Sequence, residues 1–227
     1  MADIRQTAMD DRLNASGDAR RWALIALGVF VVQEIVSSGL FVLRRQVTSW
    51  RDVPLVPLTA FVFFWIVPLL IVYLVEKRGA SSLGLVVPRE RYGRYALYAV
   101  AGLVVPAVFV GVDRSLLGEL IEQIVYIGLA EEVFNRGYLL HRLCAWLGDH
   151  RGLWLGALLF SLSHIVSRVS QHGWRYPLND LSVGLQTLLG GLLLGYMYLR
   201  AKNIVPPAIF HVSTNLYLGR MIALLSS

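Results

Sequence analysis

"SLLGELIEQIVYIGLAEEVFNRGYLLHRL", residues 115–143, reads as the start of a membrane-length helix and then carries Glu131, Glu132 and Arg136 within two turns. A charged side chain at the centre of a bilayer costs about 3 kcal/mol on insertion scales, so such residues face protein or a water-filled cavity. The stretch therefore predicts a helix inside a membrane-embedded bundle. It also predicts that the charged turn has a function.

The composition of the chain is that of a membrane protein. Of the 227 residues, 56% are hydrophobic and 16% are charged, and the mean hydropathy is +0.58. Ordinary soluble domains carry about 25% charged residues. Several apolar runs reach the roughly 20 residues that cross a hydrocarbon core. A soluble globular core is thereby excluded as a description of this chain.

The positive charge does not indicate a nucleic-acid partner. The net charge is +6, but the lysines and arginines are scattered between apolar runs and form no single patch with interleaved aromatic residues. They are typical of loops that flank membrane spans. The single cysteine, Cys144, excludes an intramolecular disulfide and a CxxC site.

The apolar runs predict an all-α fold, a polytopic transmembrane bundle of about seven to eight helices. Residues 1–21 are expected to form a cytoplasmic N-terminal tail and residues 22–227 a single transmembrane domain. More lysines and arginines fall in the segments that are inside if the N-terminus is cytoplasmic, which favours that orientation. The predicted spans are 22–43, 53–75, 95–112, 115–141, 152–167, 181–199 and 204–225.

The first polar cluster is on the predicted fourth span. Glu132 and Arg136 are spaced i, i+4 with the acid first, so they can neutralise each other and are given a supporting role. Glu131 lies about 100° around the helix and has only Asn135 at i+4. A carboxylate without a cationic partner in an apolar setting can act as a general base.

Two further clusters lie on later spans. "FSLSH" ends at His164, and "HVSTN" places His211 and Asn215 one turn apart. A lone membrane histidine more often forms an interhelical hydrogen bond, but an unpaired glutamate and two histidines on three apolar spans have no such simple explanation. Together they could supply a base, an imidazole partner and donors to a developing oxyanion. This set of groups is suited to amide hydrolysis.

The sequence also contains residue types that zinc, serine and cysteine hydrolases use. Glu131, His164 and His211 have the ligand types of a zinc site, although the chain has no HExxH motif, so no cofactor is expected but zinc stays possible. Ser161 and Ser163 lack a GxSxG context. Cys144 lies past the charged end of its helix, without an evident activating partner.

The three motifs, "EEVFNR" as EExxxR, "FSLSH" as FxxxH and "HVSTN" as HxxxN, resemble those of the CPBP intramembrane proteases, a group that includes CaaX proteases and bacteriocin-processing proteins. "SSLGL" and "NIVPPAIFH" are similar to the family as well. The resemblance covers roughly residues 80–225, where the catalytic core is expected. The first two predicted spans match nothing specific.

The resemblance implies a glutamate-dependent intramembrane endopeptidase. Glu131 would be the general base, His164 its partner, and His211 with Asn215 the oxyanion site, while Glu132 and Arg136 complete the motif. The substrate would be a membrane protein or a lipid-anchored peptide in the bilayer, with no nucleic-acid partner. The compact chain indicates a multi-pass protein of a prokaryotic cell membrane. Because some members of the family are scaffolds or immunity proteins, a non-catalytic role is the alternative.

Overall fold

The fold is a bundle of helices. The computed structural model describes residues 18–46 and 55–225, and within these ranges it contains eight helices and no β-strand, which confirms the predicted all-α class. Residues 1–17 of the predicted cytoplasmic tail lie outside the described residues. The helices are α1 (Ala19–Gln46), α2 (55–75), α3 (92–110), α4 (Arg114–Val125), α5 (128–147), α6 (Asp149–His172), α7 (Pro177–Ala201) and α8 (Val205–Leu225).

The chain is a multi-pass membrane protein. Five helices in the described part of the chain are long and apolar enough to cross a bilayer, fewer than the seven predicted spans. The predicted span 204–225 does form one helix, α8, but it is not among the five, and it carries the polar side chains of His211, Asn215 and Arg220. The five spans are Ala19–Leu43, Pro57–Val75, Arg89–Val110, Asp149–His172 and Pro177–Ala201.

The predicted fourth span, 115–141, is wrong as a single helix. It divides into α4 and α5 at Tyr126 and Ile127. Asp113 starts α4 as its N-cap, accepting from the backbone N–H of Leu116 at 2.7 Å. This bond, with one from the Ser115 hydroxyl, holds the pKa of Asp113 below its ordinary value. Because α5 begins afresh at residue 128, the two glutamates lie in its first turns.

Helix α5 is at the centre of the bundle. It packs against α1, α2, α4, α6, α7 and α8, and all eight residues from Val133 to Leu140 are buried. This segment is π-helical, a widened turn that occurs frequently at functional sites. The apolar core between α1, α2 and α5 includes Ala26, Phe30, Val72 and Phe134. The segment that follows the two glutamates is therefore held in the packed interior of the bundle.

Arg142 is buried, although the sequence analysis treated it as a loop residue. Its guanidinium is 1% exposed and binds the Glu76 carboxylate through two bonds, Nε to Oε1 at 2.8 Å and Nη2 to Oε2 at 2.7 Å. Nη1 donates to the backbone carbonyls of Gly137 and Tyr138 at 3.2 and 3.0 Å. This planar two-bond geometry ties the end of α2 to α5.

Gly137 provides the closest contact between α5 and the turn at Ala80–Leu83. A Cβ atom placed on Gly137 would lie 2.3 Å from the Leu83 carbonyl oxygen, which belongs to rigid backbone. We expect Gly137→Ala to lower the free energy of unfolding by about 1–3 kcal/mol, the usual cost of overpacking. Chemical denaturation of the purified protein in detergent measures the change.

The matched control for this variant is Gly190→Ala. Gly190 lies inside α7, and a Cβ atom there would have no neighbour within 4 Å. Alanine has a higher helix propensity than glycine, so the control is expected to be neutral or slightly stabilising. Equal losses of stability in the two variants would show that the contact with Leu83 is not the cause.

Candidate active site

The two glutamates of α5 meet His211 of α8. The Glu132 carboxylate is completely buried, and its Oε1 lies 2.9 Å from His211 Nδ1. Oε2 of Glu131 lies 4.0 Å from Nε2 of the same ring. Because an ionised carboxylate only accepts hydrogen bonds, Nδ1 carries the proton that it donates to Glu132. His211 thus lies between the two acids, with its Nε2 toward Glu131.

The expected i, i+4 pair between Glu132 and Arg136 is present. Arg136 Nη1 lies 2.9 Å from Glu132 Oε1, and both side chains are at most 2% exposed. The pair is close in distance but lacks hydrogen-bond geometry, since the Nη atoms of Arg136 have no hydrogen-bond partner within the described ranges. The guanidinium instead lies 4.3 Å above the Phe160 ring of α6. Glu132, Arg136 and His211 form one charged network that joins α5 to α8, and the contact of Arg136 with Phe160 adds α6.

Glu131 has a different environment from Glu132. Its side chain is 16% exposed, and its Oε2 atom is buried without a hydrogen-bond partner in the described part of the chain. Asn135, the expected i+4 neighbour, does not contact the carboxylate and donates to the Glu131 backbone carbonyl at 3.0 Å. The carboxylate of Glu131 is therefore available to a water or a substrate.

His164 faces the same cavity as Glu131. The cavity has a volume of about 310 Å³ and lies between α1, α2, α5 and α6. His164 Nδ1 lies 2.8 Å from the Phe160 backbone carbonyl, so Nδ1 carries a proton that it donates to that oxygen. In the neutral ring Nε2 then has a free lone pair. A base and an imidazole acceptor thus line one enclosed space.

Asn215 lies apart from this arrangement. It is exposed, and its Nδ2 donates to Gln123 Oε1 of α4 at 2.8 Å. Neither Asn215 nor His211 is among the residues that line the 310 Å³ cavity. Of the four residues predicted to be catalytic, the structure brings Glu131 together with His164 across the cavity and with His211 by direct approach. The side chain of Asn215 bonds to Gln123 and joins neither of these two arrangements.

The serine hydroxyls of α6 are bound to backbone carbonyls. Ser161 donates to the Gly184 carbonyl at 2.6 Å, and Ser163 donates to the Phe160 carbonyl at 2.8 Å. Ser163 also lies 3.5 Å from Nδ1 of His164, but that nitrogen is already engaged with Phe160. Because each hydroxyl hydrogen is donated to a backbone carbonyl, neither serine has a base in position to take its proton.

Helix α1 contributes one wall of the cavity, which agrees with the expectation from the sequence that Gln33 and Glu34 hydrogen-bond within the bundle or lie near a water-filled space. Gln33, Glu34, Ser37 and Ser38 all line it, and Gln33 Nε2 donates to Ser37 Oγ at 3.3 Å. Gln33 and Glu34 stood out in the sequence as polar residues in an apolar span, but nothing indicated which helix they would face. The i, i+4 spacing of Gln33 to Ser37 and of Glu34 to Ser38 places all four side chains on adjoining faces of one helix. This spacing is the feature of the sequence that predicts a polar face on α1.

A metal site requires donor side chains that converge on one point. No group of three or more histidine, cysteine, aspartate or glutamate side chains within residues 18–46 and 55–225 is arranged so that it could hold a metal ion. His211 approaches Glu131 and Glu132, while His164 reaches the cavity from a different helix. A zinc site at these residues would require the side chains to move together to distances of about 2.0–2.2 Å.

Comparison with known proteins gave a family match over the central part of the chain. Residues 113–217 match the family model described as Rce1-like, Type II CAAX prenyl endopeptidase Rce1-like. The matched segment is somewhat less than half of the chain, and it contains all three motifs. The comparison with curated proteins and that with solved structures each gave no significant match.

The match agrees with the site that the helices form. It extends from the N-cap of α4 to the middle of α8 and therefore includes both glutamates, His164 and His211. It supports an intramembrane endopeptidase, a hydrolase, embedded in a lipid bilayer and acting on membrane-associated substrates. It therefore confirms the resemblance to the CPBP intramembrane proteases, because residues 113–217 are similar to the Rce1-like type II CAAX prenyl endopeptidases.

Proposed function

We propose that this chain hydrolyses a peptide bond of a membrane-associated protein or peptide, with Glu131 and His164 activating the attacking water. The observation that carries the proposal is their position on one cavity of about 310 Å³, where Glu131 Oε2 has no partner within the described ranges. A cavity of this size that carries carboxylate, imidazole and hydroxyl groups in a mostly apolar wall has room for several water molecules. Partial burial strengthens the interactions between charged groups and the water.

In the proposed reaction, Glu131 takes a proton from water as its oxygen attacks the carbonyl carbon of the scissile bond. His164 accepts a hydrogen bond from the same water at Nε2 and so orients it, because its Nδ1 is held by Phe160. The resulting carboxylic acid of Glu131 then donates its proton to the departing amine nitrogen. The carbon–nitrogen bond breaks, and the carboxylate is restored.

We assign stabilisation of the oxyanion to His211, with Asn215 as the second donor. As the imidazolium, His211 presents an Nε2–H on the side of Glu131, while Glu132 holds Nδ1. Asn215 would have to exchange its bond to Gln123 for one to the substrate. Glu132 and Arg136 act as positioning residues, since Glu132 holds Nδ1 of His211 and Arg136 lies beside Glu132.

The proposed substrates are peptides that a lipid anchor or an apolar helix holds in the bilayer. The family description names prenyl endopeptidases, and a prenylated C-terminal peptide is one such substrate. With a cytoplasmic N-terminus, the site would lie in the cytoplasmic half of a prokaryotic cell membrane. Cysteine-accessibility mapping of the connection at residues 76–94 tests this orientation, and an external position of that connection would contradict it.

We expect His164→Gln to lower the cleavage rate by about 100-fold or more, because the water loses its imidazole partner. The measurement uses the purified protein in liposomes and quenched fluorescent peptides that carry a farnesyl or palmitoyl anchor. His150→Gln is the control, since His150 is exposed at the start of the same helix. A wild-type rate in His164→Gln would remove His164 from the mechanism.

The mechanism needs no metal ion, and the alternative is zinc-dependent hydrolysis at the same residues. Incubation of the liposomes with a zinc chelator separates the two. The rate is expected to stay constant under the metal-free mechanism. Loss of cleavage on chelation and its return on adding zinc would establish the alternative, with Glu131, His164 and His211 as ligands.

A further inference from the structure

A second cavity lies away from the proposed active site, between α3, α7 and α8. Its volume is about 640 Å³, and it shares no lining residue with the cavity that holds Glu131 and His164. Most of its wall is apolar and includes Ala101, Met197, Ile209 and Phe210. Because α3 and α7 are candidate membrane spans, this apolar wall lies at the depth of the lipid acyl chains.

One end of this groove is strongly basic. Arg91 lies in the 3-10 turn just before α3, Arg94 lies in the first turn of α3, and Arg200 comes from the last turn of α7. Arg91 donates from Nη1 to the backbone carbonyl of Ala201, which fixes it across the gap between the two helices. Arg94 and Arg200 are exposed, and neither has a carboxylate partner within the described ranges.

Three guanidinium groups around one opening favour an anionic ligand. Like charges held close together repel one another, and a phosphate group relieves that repulsion through charge-assisted hydrogen bonds. Arginine matches the geometry of a phosphate with two parallel donors. The nearest acid in sequence, Glu90, is exposed and does not line the groove.

The groove has a basic end and an apolar remainder, which match the charged headgroup and the acyl chains of a phospholipid. The arginines occupy the end formed by the terminal residues of the two membrane spans, where a headgroup lies. The apolar remainder runs along α3 toward the bilayer centre. Gly102 lets α3 approach α8 closely at the base of the groove, because a Cβ atom there would lie 3.0 Å from the Ile209 side chain.

We propose that this groove binds one anionic phospholipid of the bilayer, with its phosphate between Arg94 and Arg200 and an acyl chain along Ala101 and Ile209. The bound lipid would pack on α8 beside the residue that approaches both glutamates, since Phe210 lines the groove and His211 follows it. Juxtamembrane arginines attract anionic lipids in general, and here an apolar groove adds a defined place for the chain.

The test is a titration of the full-length protein in detergent, followed by native mass spectrometry. The probes are phosphatidylglycerol and phosphatidylcholine with identical acyl chains. We expect the wild type to bind phosphatidylglycerol about 10-fold more tightly, and the double variant Arg94→Gln/Arg200→Gln to lose that preference. Arg89→Gln is the matched control, because Arg89 is exposed one turn away and does not line the groove.

A second variant tests the apolar part without changing charge. Ala101→Phe places a ring in the groove and is expected to weaken binding of both lipids by a similar factor. Equal binding of the two lipids to the wild type would overturn the proposal. An Arg89→Gln variant that loses the preference for phosphatidylglycerol as fully as the double variant would overturn it as well. So would displacement of phosphatidylglycerol by inorganic phosphate, or by a farnesylated peptide, at comparable concentration, since the site would then be one for free phosphate or for substrate.

Discussion

Glu131→Gln is expected to lower the rate of peptide-bond cleavage by about 100- to 10,000-fold while leaving the fold unchanged. The carboxamide has nearly the same size as the carboxylate but cannot take a proton at neutral pH. The factor is the usual contribution of a general base. Because Glu131 Oε2 has no hydrogen-bond partner among the described residues, the substitution removes no structural hydrogen bond from that atom.

The matched control for this variant is Glu122→Gln. Glu122 lies on α4, exposed and away from the cavity, and it carries the same change in charge. Both variants are purified, and cleavage of the lipid-anchored peptides is measured beside thermal unfolding. Glu131→Gln should retain the wild-type unfolding temperature and lose cleavage, whereas the control should retain both.

The same variant distinguishes an enzyme from a scaffold. If the chain only binds a partner through its polar cluster, Glu131→Gln should preserve its biological function, because glutamine keeps the volume and most hydrogen bonding of the site. Full function of the variant in cells would therefore favour a scaffold or immunity role. Loss of function with normal membrane abundance would support hydrolysis.

Arg142→Met is expected to reduce the free energy of unfolding by about 3–5 kcal/mol, the usual effect of removing one partner from a buried ion pair. Glu76 would keep its buried charge without its two hydrogen bonds, with Arg78 Nε at 4.0 Å from Oε2 as a more distant cationic neighbour. The carbonyls of Gly137 and Tyr138 would lose their donor as well. Chemical denaturation in detergent measures the loss.

The double variant Arg142→Met/Glu76→Gln tests the cause. It removes the unpaired charge and should recover much of the lost stability, since replacing both partners of a buried pair is far less costly than breaking it. Arg151→Met, at an exposed position at the start of α6, is the control and should change stability little. Equal losses in the single and double variants would show that the unpaired charge of Glu76 is not responsible.

Local sequence predicts that the chain is a membrane protein and which side chains are candidates for the site, because the length of apolar runs and the spacing of motifs are local properties. It does not predict the break between α4 and α5. Tyr126 and Ile127 are apolar, and the one local signal is Gly128 directly after them, a residue type that is also common inside membrane helices. The helix ends there in a tertiary setting, where a Cβ atom on the following Gly128 would lie 2.7 Å from the Val212 side chain of α8.

The position of Arg142 illustrates a second limit of the sequence. Counting positive charges near span ends treats each one as a solvated anchor. Arg142 instead pairs with Glu76, which is 66 residues away along the chain. Asn215 shows the converse, since its i, i+4 spacing to His211 was correct as a helical register but its side chain turns to Gln123. Neither partner is encoded by nearby residues.

The wall that α1 gives to the cavity has one more consequence. Glu34 and Ser37 lie outside residues 113–217, whereas Glu131 and His164 lie within them. The family match therefore accounts for the proposed base and its imidazole partner but not for the α1 side of the cavity. Under the proposed function, substitutions at Glu34 or Ser37 would change the shape and polarity of the space that a substrate enters while leaving Glu131 and His164 in place.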